Sequence, residues 1–338
     1  MKILITGAAG FIGRALVKAL AEDNDVIGID NLNTLSDISI KYARLSDLGI
    51  PIDNISYGKA LMSRTLSFFR FLKLDVADRE GLPRLFADIH FDCVVHLAAQ
   101  AGVRRSMEMP FAYAEANLLG FLNVLECCRK SSPLPRLVFA SSSSVYGAQT
   151  KIPFSENDST DKPVSFYAAT KKADELMAQA YCALYGISVV GLRYFSVYGP
   201  WGRPDMAPFI FLRAILRGIP VHLFNGGRMS RDFTFIDDVV ECTRRVIVHS
   251  LVDAPLFRIY NIGHSVPVTL YELISVLELV AGKKAVVELT GMQHGDVSCT
   301  MADVSLFAHD YGYRPLTSLQ QGAVALYRWF LSYPKLWT

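Results

Sequence analysis

The chain has 338 residues, 51% of them apolar, and a formal net charge of +2. That length exceeds one ordinary core, so one large or two interlocked domains are expected, with ample apolar content for the interior. The near-neutral balance, with no basic block or arginine-rich helix, argues against a nucleic-acid partner, and the absence of a long apolar run argues against a membrane span.

Residues 2–6 form the first predicted strand. Gly7, Gly10 and Gly13 follow it in a G-x-x-G-x-x-G turn that opens a predicted helix over 11–22. Strand, glycine turn and helix in that order build a dinucleotide cradle. The glycines permit the tight turn and the close approach of backbone to pyrophosphate, and the first helical residues, Phe11, Ile12 and Gly13, offer N–H groups and a favourable dipole to phosphate. The second predicted strand, 25–29, ends at Asp30. An acid about 20 residues past the glycines grips a ribose diol and repels a 2′-phosphate, which favours NAD over NADP.

Residues 33–67 read as one helix (39–48) and then a loop, with no function assigned. Strands over 70–74, 92–96, 136–141 and 187–193 alternate with helices over 79–88, 111–130 and 166–185. This α/β rhythm predicts a doubly wound parallel sheet of the Rossmann type. After residue 194 the rhythm changes. Residues 198–205 are too rich in Gly and Pro for regular structure, and a helix follows over 207–217. Residues 231–239 read as a strand and then a helix with Asp237 or Asp238 at its N-terminus, and 268–281 as a helix capped by Thr269. The expected division is a dinucleotide-binding Rossmann domain over 1–195, rejoined by 232–262, and a smaller α/β substrate lobe over 196–231 and 263–338. The start of the chain shows no leader pattern. Its six cysteines show neither C-x-x-C pairing nor metal-ligand spacing, so buried free thiols, no metal and a cytoplasmic location are expected.

Tyr167 and Lys171 lie four apart on the helix predicted over 166–185, hence on one face. A tyrosine titrates near pH 10 unperturbed and is a poor base at neutrality; a neighbouring ammonium and an oxidised nicotinamide would stabilise its phenolate. Tyr-x-x-x-Lys alone is a weak signal. It gains force from Ser141-Ser142-Ser143-Ser144, which emerge from the carboxyl end of the buried strand Leu137-Val138-Phe139. A serine hydroxyl there can hydrogen-bond a substrate oxygen while Tyr167 moves the proton.

On these motifs the chain resembles the extended short-chain dehydrogenase/reductase superfamily and, within it, the nucleotide-sugar epimerases. Further landmarks are Asp30-Asn31-Leu32, Leu74-Asp75-Val76, His96-Leu97-Ala98-Ala99, Asn117, Leu192-Arg193-Tyr194-Phe195 and Arg231-Asp232-Phe233. The stretches 98–104, 141–147 and 198–206 are most similar to the UDP-glucuronate 4-epimerase group. The resemblance implies NAD as cofactor, with Asp30 and Asn31 on the adenosine ribose and Asp75 and Val76 on the adenine. Leu97, Ala98, Ala99 and Asn117 would line the path to nicotinamide, and Ser141 and Tyr194 would complete the cofactor set. Lys171 would hold the nicotinamide ribose and assist Tyr167, and Ser142 would contact the reacting hydroxyl. Gln100, Arg104, Ser143, Ser144, Phe195, Ser196, Arg203, Arg231 and Asp296 would serve the sugar and nucleotide diphosphate.

The implied reaction is 4-epimerisation of a UDP-sugar, UDP-glucuronate to UDP-galacturonate, through a transient 4-keto sugar. Arg203, with the Ser142–Ser144 hydroxyls, is expected to hold the sugar carboxylate against decarboxylation. Dehydratases and oxidative decarboxylases of the superfamily carry an acid just before the Val-Tyr-Gly landmark, where this chain has Ser143 and Ser144. UDP-galactose 4-epimerase, UDP-glucuronate decarboxylase and, more remotely, a non-catalytic NAD(H) sensor are the alternatives. Two departures stand out: the doubled Arg104-Arg105, and His294 where proline is expected. Extra apolar positions on 111–130 and 166–185 predict a homodimer through those helices.

Overall fold

The computed structural model describes residues 1–35, 37–249, 256–291 and 297–337. It divides into two compact units: one of residues 1–147, 160–193 and 243–260, the other of 148–159, 194–242 and 261–338. In chain order the strands are β1 (Lys2–Thr6), β2 (Asp25–Asp30), β3 (Ala60–Met62), β4 (Phe69–Lys73), β5 (Cys93–His96), β6 (Arg136–Ser142), β7 (Val189–Tyr194), β8 (Ser196–Tyr198), β9 (Pro220–Leu223), β10 (Ser230–Phe235), β11 (Phe257–Ile262), β12 (Pro267–Thr269) and β13 (Val286–Leu289).

The first unit is built on an eight-stranded sheet in the order β11-β7-β6-β5-β1-β2-β4-β3. β1 runs parallel to both β2 and β5, and β5 parallel to β6, while the edge strand β3 is antiparallel to β4. Strands such as Ile3-Leu4-Ile5 and Leu137-Val138-Phe139 are apolar throughout and fully buried, as a sheet covered on both faces requires. The chain winds outward from β1 to β2 and β4, then returns to β5 on the other flank. The β1/β5 junction is therefore the switch point at which open α/β sheets bind ligands.

The predicted strands all form, within two residues of their expected ends. The loop expected after residue 48 is corrected: it contains β3, a three-residue edge strand too short to show alternation in sequence. The helix expected over 111–130 is also corrected. It consists of Pro110–Tyr113, a π-helical turn Ala114–Leu119 and Gly120–Lys130. Five cysteines are buried and free, as expected, whereas Cys299 is half-buried.

The second unit carries a three-stranded sheet, β12-β10-β8, and a two-stranded one, β13-β9. Helices Ala207–Arg217, Leu270–Ala281 and Leu319–Ser332 pack together. Their core is aromatic: Trp201, Phe209, Trp329 and Phe330 lie with ring centroids 4.7–5.9 Å apart in successive contacts. Asp237 and Asp238 both fall in the first turn of helix Ile236–Val248. Thr269 caps Leu270–Ala281 in a capping box with Glu272, so the helix begins two residues later than expected because Val268 belongs to β12. Among the described residues, no helix is long and apolar enough to cross a membrane.

Candidate active site

The carboxyl ends of four strands bring the expected dinucleotide residues together. Thr6 of β1 is in register with Ile29 of β2 and with His96 of β5, and His96 with Phe139 of β6. The glycine turn, Asp30, Leu97-Ala98-Ala99 and the serine run therefore leave the sheet side by side. Thr6 ties the end of β1 to that of β5. Its hydroxyl accepts the Ala98 N–H at 3.1 Å and shares a 2.9 Å hydrogen bond with His96 Nδ1, and its carbonyl accepts the Leu97 N–H at 3.2 Å.

Gly7 sits at φ +73°, and a Cβ there would lie 2.8 Å from the Ala98 nitrogen; a Cβ on Gly13 would run into the Gly7 carbonyl. The turn has room only for bare backbone. Helix Phe11–Leu20 begins behind Gly10, which supplies no side-chain cap, so its first N–H groups remain available to an anion. That cradle fits a dinucleotide pyrophosphate. Asp30 is buried, its Oδ1 accepting the Leu32 N–H at 2.8 Å and Lys41 Nζ at 3.1 Å. Asn31 Nδ2 donates to Asp75 Oδ2 at 2.8 Å, which links the expected ribose and adenine residues. Val76 is buried, and its carbonyl accepts Asn123 Nδ2 at 2.8 Å.

The expected proton-transfer residues lie on helix Phe166–Tyr185. Ser165 caps it by accepting the Ala168 N–H at 3.1 Å, and Gly186, left-handed at φ 71°, ends it. Tyr167 is half-buried and Lys171 buried. The Tyr167 N–H donates to Ser106 Oγ at 3.0 Å, and its ring meets that of Tyr113 edge-on with centroids 6.3 Å apart. Its carbonyl accepts the Thr170 hydroxyl at 2.8 Å, which in turn accepts Asn117 Nδ2 at 2.9 Å. Asn117 Oδ1 also accepts the Gln100 N–H at 2.8 Å. The π turn carries Asn117 into this buried position, a common use of such turns at functional sites.

The serine run is fixed from both sides. Ser142 Oγ accepts the Ser144 N–H at 3.1 Å and caps the short turn Ser143–Tyr146. Ser141 Oγ instead donates to Glu175 Oε1 at 2.6 Å. Glu175 takes Arg193 in a fork of two 2.8 Å bonds, and Arg193 reaches the Tyr146 hydroxyl at 2.9 Å. This buried network joins the end of β6, the tyrosine helix and β7. Gln100, Ser143 and Ser144 are half-buried, and Arg104 is exposed on helix Val103–Glu108.

In the second unit, Ser196 opens β8 in register with Phe233 of β10, so Ser196 and Arg231 stand on adjacent strands. Tyr194 and Phe195 are buried, and the Phe195 N–H donates to the Ile262 carbonyl at 3.0 Å. Asp232 is fully buried and accepts the N–H groups of His264 (2.7 Å), Ser265 (2.9 Å) and Ala302 (2.9 Å). Burial raises its carboxyl above the ordinary range against the pull of those amides. Arg203 forks Asp205 at 3.0 and 2.6 Å. Asp296 and His294 lie outside the described residues.

Sequence reading assigned no role to Glu175, Arg193, Thr6, His96, Asp174 or Asp232. A signal existed for two of them: an arginine inside the apolar run Leu192-Arg193-Tyr194 and a histidine closing Val94-Val95 call for buried partners.

The chain is similar to known proteins in sequence and in fold. A 37.6 kDa protein in the cld 5′ region of Escherichia coli O111:H- is 46% identical, with 99% of this chain and 100% of that protein covered. UDP-glucuronate 4-epimerase 4 of Arabidopsis thaliana is 44% identical, with 98% of this chain and 75% of that protein covered. The crystal structure of UDP-glucuronic acid 4-epimerase from Bacillus cereus, in complex with UDP-glucuronic acid and NAD, superposes with a TM-score of 0.86 at 33% identity, covering 98% of this chain and 99% of that one. Residues 3–263, which hold the glycine turn, the serine run and the Tyr167/Lys171 helix, match the NAD dependent epimerase/dehydratase family, and the chain belongs to it.

Proposed function

We propose that the protein converts UDP-glucuronate to UDP-galacturonate by inverting carbon 4, with NAD as a bound and recycled cofactor. Gly7, Gly10 and Gly13 would receive the pyrophosphate on bare backbone, with Asp30 and Asn31 on the adenosine ribose and Asp75 and Val76 on the adenine. Leu97, Ala98, Ala99, Asn117, Ser141 and Tyr194 would line the rest of the cofactor. Bound there, NAD would supply a reversible hydride acceptor for carbon 4, with no net redox change.

The protein's own residues move the proton. Tyr167 takes it from the sugar's 4-hydroxyl, Ser142 hydrogen-bonds the same oxygen, and the Lys171 ammonium stabilises the phenolate. The 4-keto sugar then turns before the proton is returned, so the nucleotide end must supply the grip; we assign this to Phe195, Ser196, Arg231 and Asp296. Arg203 already holds a carboxylate, that of Asp205, in the forked geometry it would use on glucuronate. Gln100, Arg104, Ser143 and Ser144 complete the proposed sugar contacts.

The serine run carries this reading. Where dehydration needs an acid beside the reacting carbon, β6 leads into three hydroxyls, Ser142, Ser143 and Ser144. A hydroxyl has no suitable pKa for expelling water. The likeness to UDP-glucuronate 4-epimerases supports the choice of sugar.

Phe111, Leu119, Leu176 and Leu184 are exposed on the two long helical stretches, which supports a homodimer through that face. The five buried free thiols suit a reducing compartment and support a cytoplasmic location. Proton NMR of UDP-glucuronate incubated with the protein tests the activity. UDP-galacturonate is the expected product, and Tyr167→Phe should lower its rate by about 10²–10⁴. UDP-pentose with carbon dioxide, or no change, would overturn the proposal.

A further inference from the structure

The tyrosine helix buries two adjacent acids and treats them differently. Glu175 is satisfied by Arg193 and Ser141. Asp174 is half satisfied: its Oδ2 accepts Lys171 Nζ at 3.1 Å, with the two side chains only 1% and 2% exposed, while its Oδ1 is buried without a hydrogen-bond partner. His96, at the end of β5, is buried beside Phe121 with its Nε2 unpartnered, and it feels the charge of Lys171.

We propose that Asp174 is a positioning residue for Lys171: it supplies the counter-charge that keeps the buried amine an ammonium, and it fixes where that ammonium sits. The role of Lys171 itself rests on the epimerase reading above. Burial penalises charge, so a lysine this enclosed and without a carboxylate gives up its proton more readily. As a neutral amine it would lose its electrostatic hold on the Tyr167 phenolate. Asp174 lies one turn along the same helix, so the site of Nζ is set by rigid backbone.

The surrounding charges leave this task to Asp174. Glu175 is committed to Arg193, with Lys172 3.9 Å away. His96 offers no competing cation, since burial and then the Lys171 charge push it down to about 3. The Asp174 carboxyl is pushed up to about 6, chiefly by burial and also by Glu175, with Lys171 pulling it back. The ion pair is therefore complete above that pH and fades below it.

Asp174→Asn keeps the shape and removes the charge. Titration calorimetry with NAD alone, without sugar, should show affinity weakened about tenfold near pH 8.5, and by about twofold or less near pH 5, where about nine-tenths of the native Asp174 carboxyl is protonated and the pair is lost. The alkaline limb of kcat/KM on UDP-glucuronate should move toward neutrality by about one pH unit. An unchanged NAD affinity, or one weakened equally at both pH values, would overturn the assignment. The calorimetry needs no turnover, so it decides the role of Asp174 even if UDP-glucuronate is not a substrate. Conversely, a flat calorimetric ratio in an enzyme that does epimerise removes Asp174 alone. Should Asp174→Asn fail to fold, ε-carbon NMR of lysine-labelled native protein answers the same question. The Lys171 signal, assigned with Lys171→Met, should remain that of an ammonium at about pH 9; a neutral amine there would overturn the proposal.

Discussion

Each unit keeps a buried acid next to a proposed ligand-binding residue, Ser141 of the cofactor set beside Glu175 and Arg231 of the substrate set beside Asp232, and the two acids are held by different means. Glu175, in the first unit, faces a guanidinium through two bonds and a serine hydroxyl through a third. Asp232, in the second, gathers three backbone N–H groups and the Thr234 hydroxyl. The side-chain pair locks three elements, β6, the tyrosine helix and β7, by direction and charge. The amide cage instead binds the 264–265 turn and the chain at 302 against β10. One substitution of a partner, Arg193, strips the first anchor of its counter-charge, whereas three of the four donors of the second are backbone N–H groups, so no substitution of a partner removes more than one bond.

Arg193→Leu tests the charge pair most severely. It leaves Glu175 buried without its guanidinium partner, which costs about 3–5 kcal/mol, whereas removing both partners together, as in Arg193→Leu with Glu175→Leu, should recover much of that loss. Urea unfolding of the single and double variants measures both. Equal destabilisation of the two would mean that the pair serves packing and not charge.

The first unit also carries a pH liability that the second anchor does not share. Burial pushes His96 from 6.5 to about 3. Between those values the unfolded chain binds a proton that the folded one refuses, so stability falls as pH drops through that range. The loss is about 1.4 kcal/mol per pH unit, or about 2 kcal/mol at pH 5. Asp174 works against it. Its carboxyl is raised from 3.8 to about 6, so the folded state takes up that proton first and is stabilised as pH falls through its window. His96→Leu should uncover this opposition: relative to native protein, the variant gains about 2 kcal/mol between pH 6.5 and pH 5. A difference that does not change with pH in urea melts would contradict it.

What the sequence made legible was local. The glycine turn, Asp30, the serine run and the Tyr167/Lys171 pair each show within one strand, turn or helix, where spacing alone sets the geometry. The side chains that hold them did not show, because their partners are distant: Glu175 and Arg193 are 18 residues apart, Ser141 and Glu175 34, Asp232 and Ala302 70. The π turn at Asn117 escaped for another reason. It preserves helical periodicity on either side and shifts only one position inward, to Gln100 and Thr170. Short strands such as β3 and β12 carry too few residues to show alternation.

Asp232→Asn probes the amide cage with the smallest expected effect. One carboxylate oxygen accepts the His264 N–H and the Thr234 hydroxyl, the other the N–H groups of Ser265 and Ala302. An asparagine that turns its oxygen toward Ser265 and Ala302 presents its NH₂ to the rest. Thr234 can rotate to accept, so a single N–H, that of His264, is left unsatisfied. Such an orphan costs about 1–3 kcal/mol, and removal of a buried charge offsets part of it, so a net loss of about 1 kcal/mol is expected. Because Arg231 is the next residue on β10, the variant should weaken UDP binding while leaving NAD affinity unchanged, as paired calorimetric titrations would show. A loss as large as that of Arg193→Leu would mean that the cage bears the same electrostatic load as the charge pair, and the distinction between the two anchors would fail.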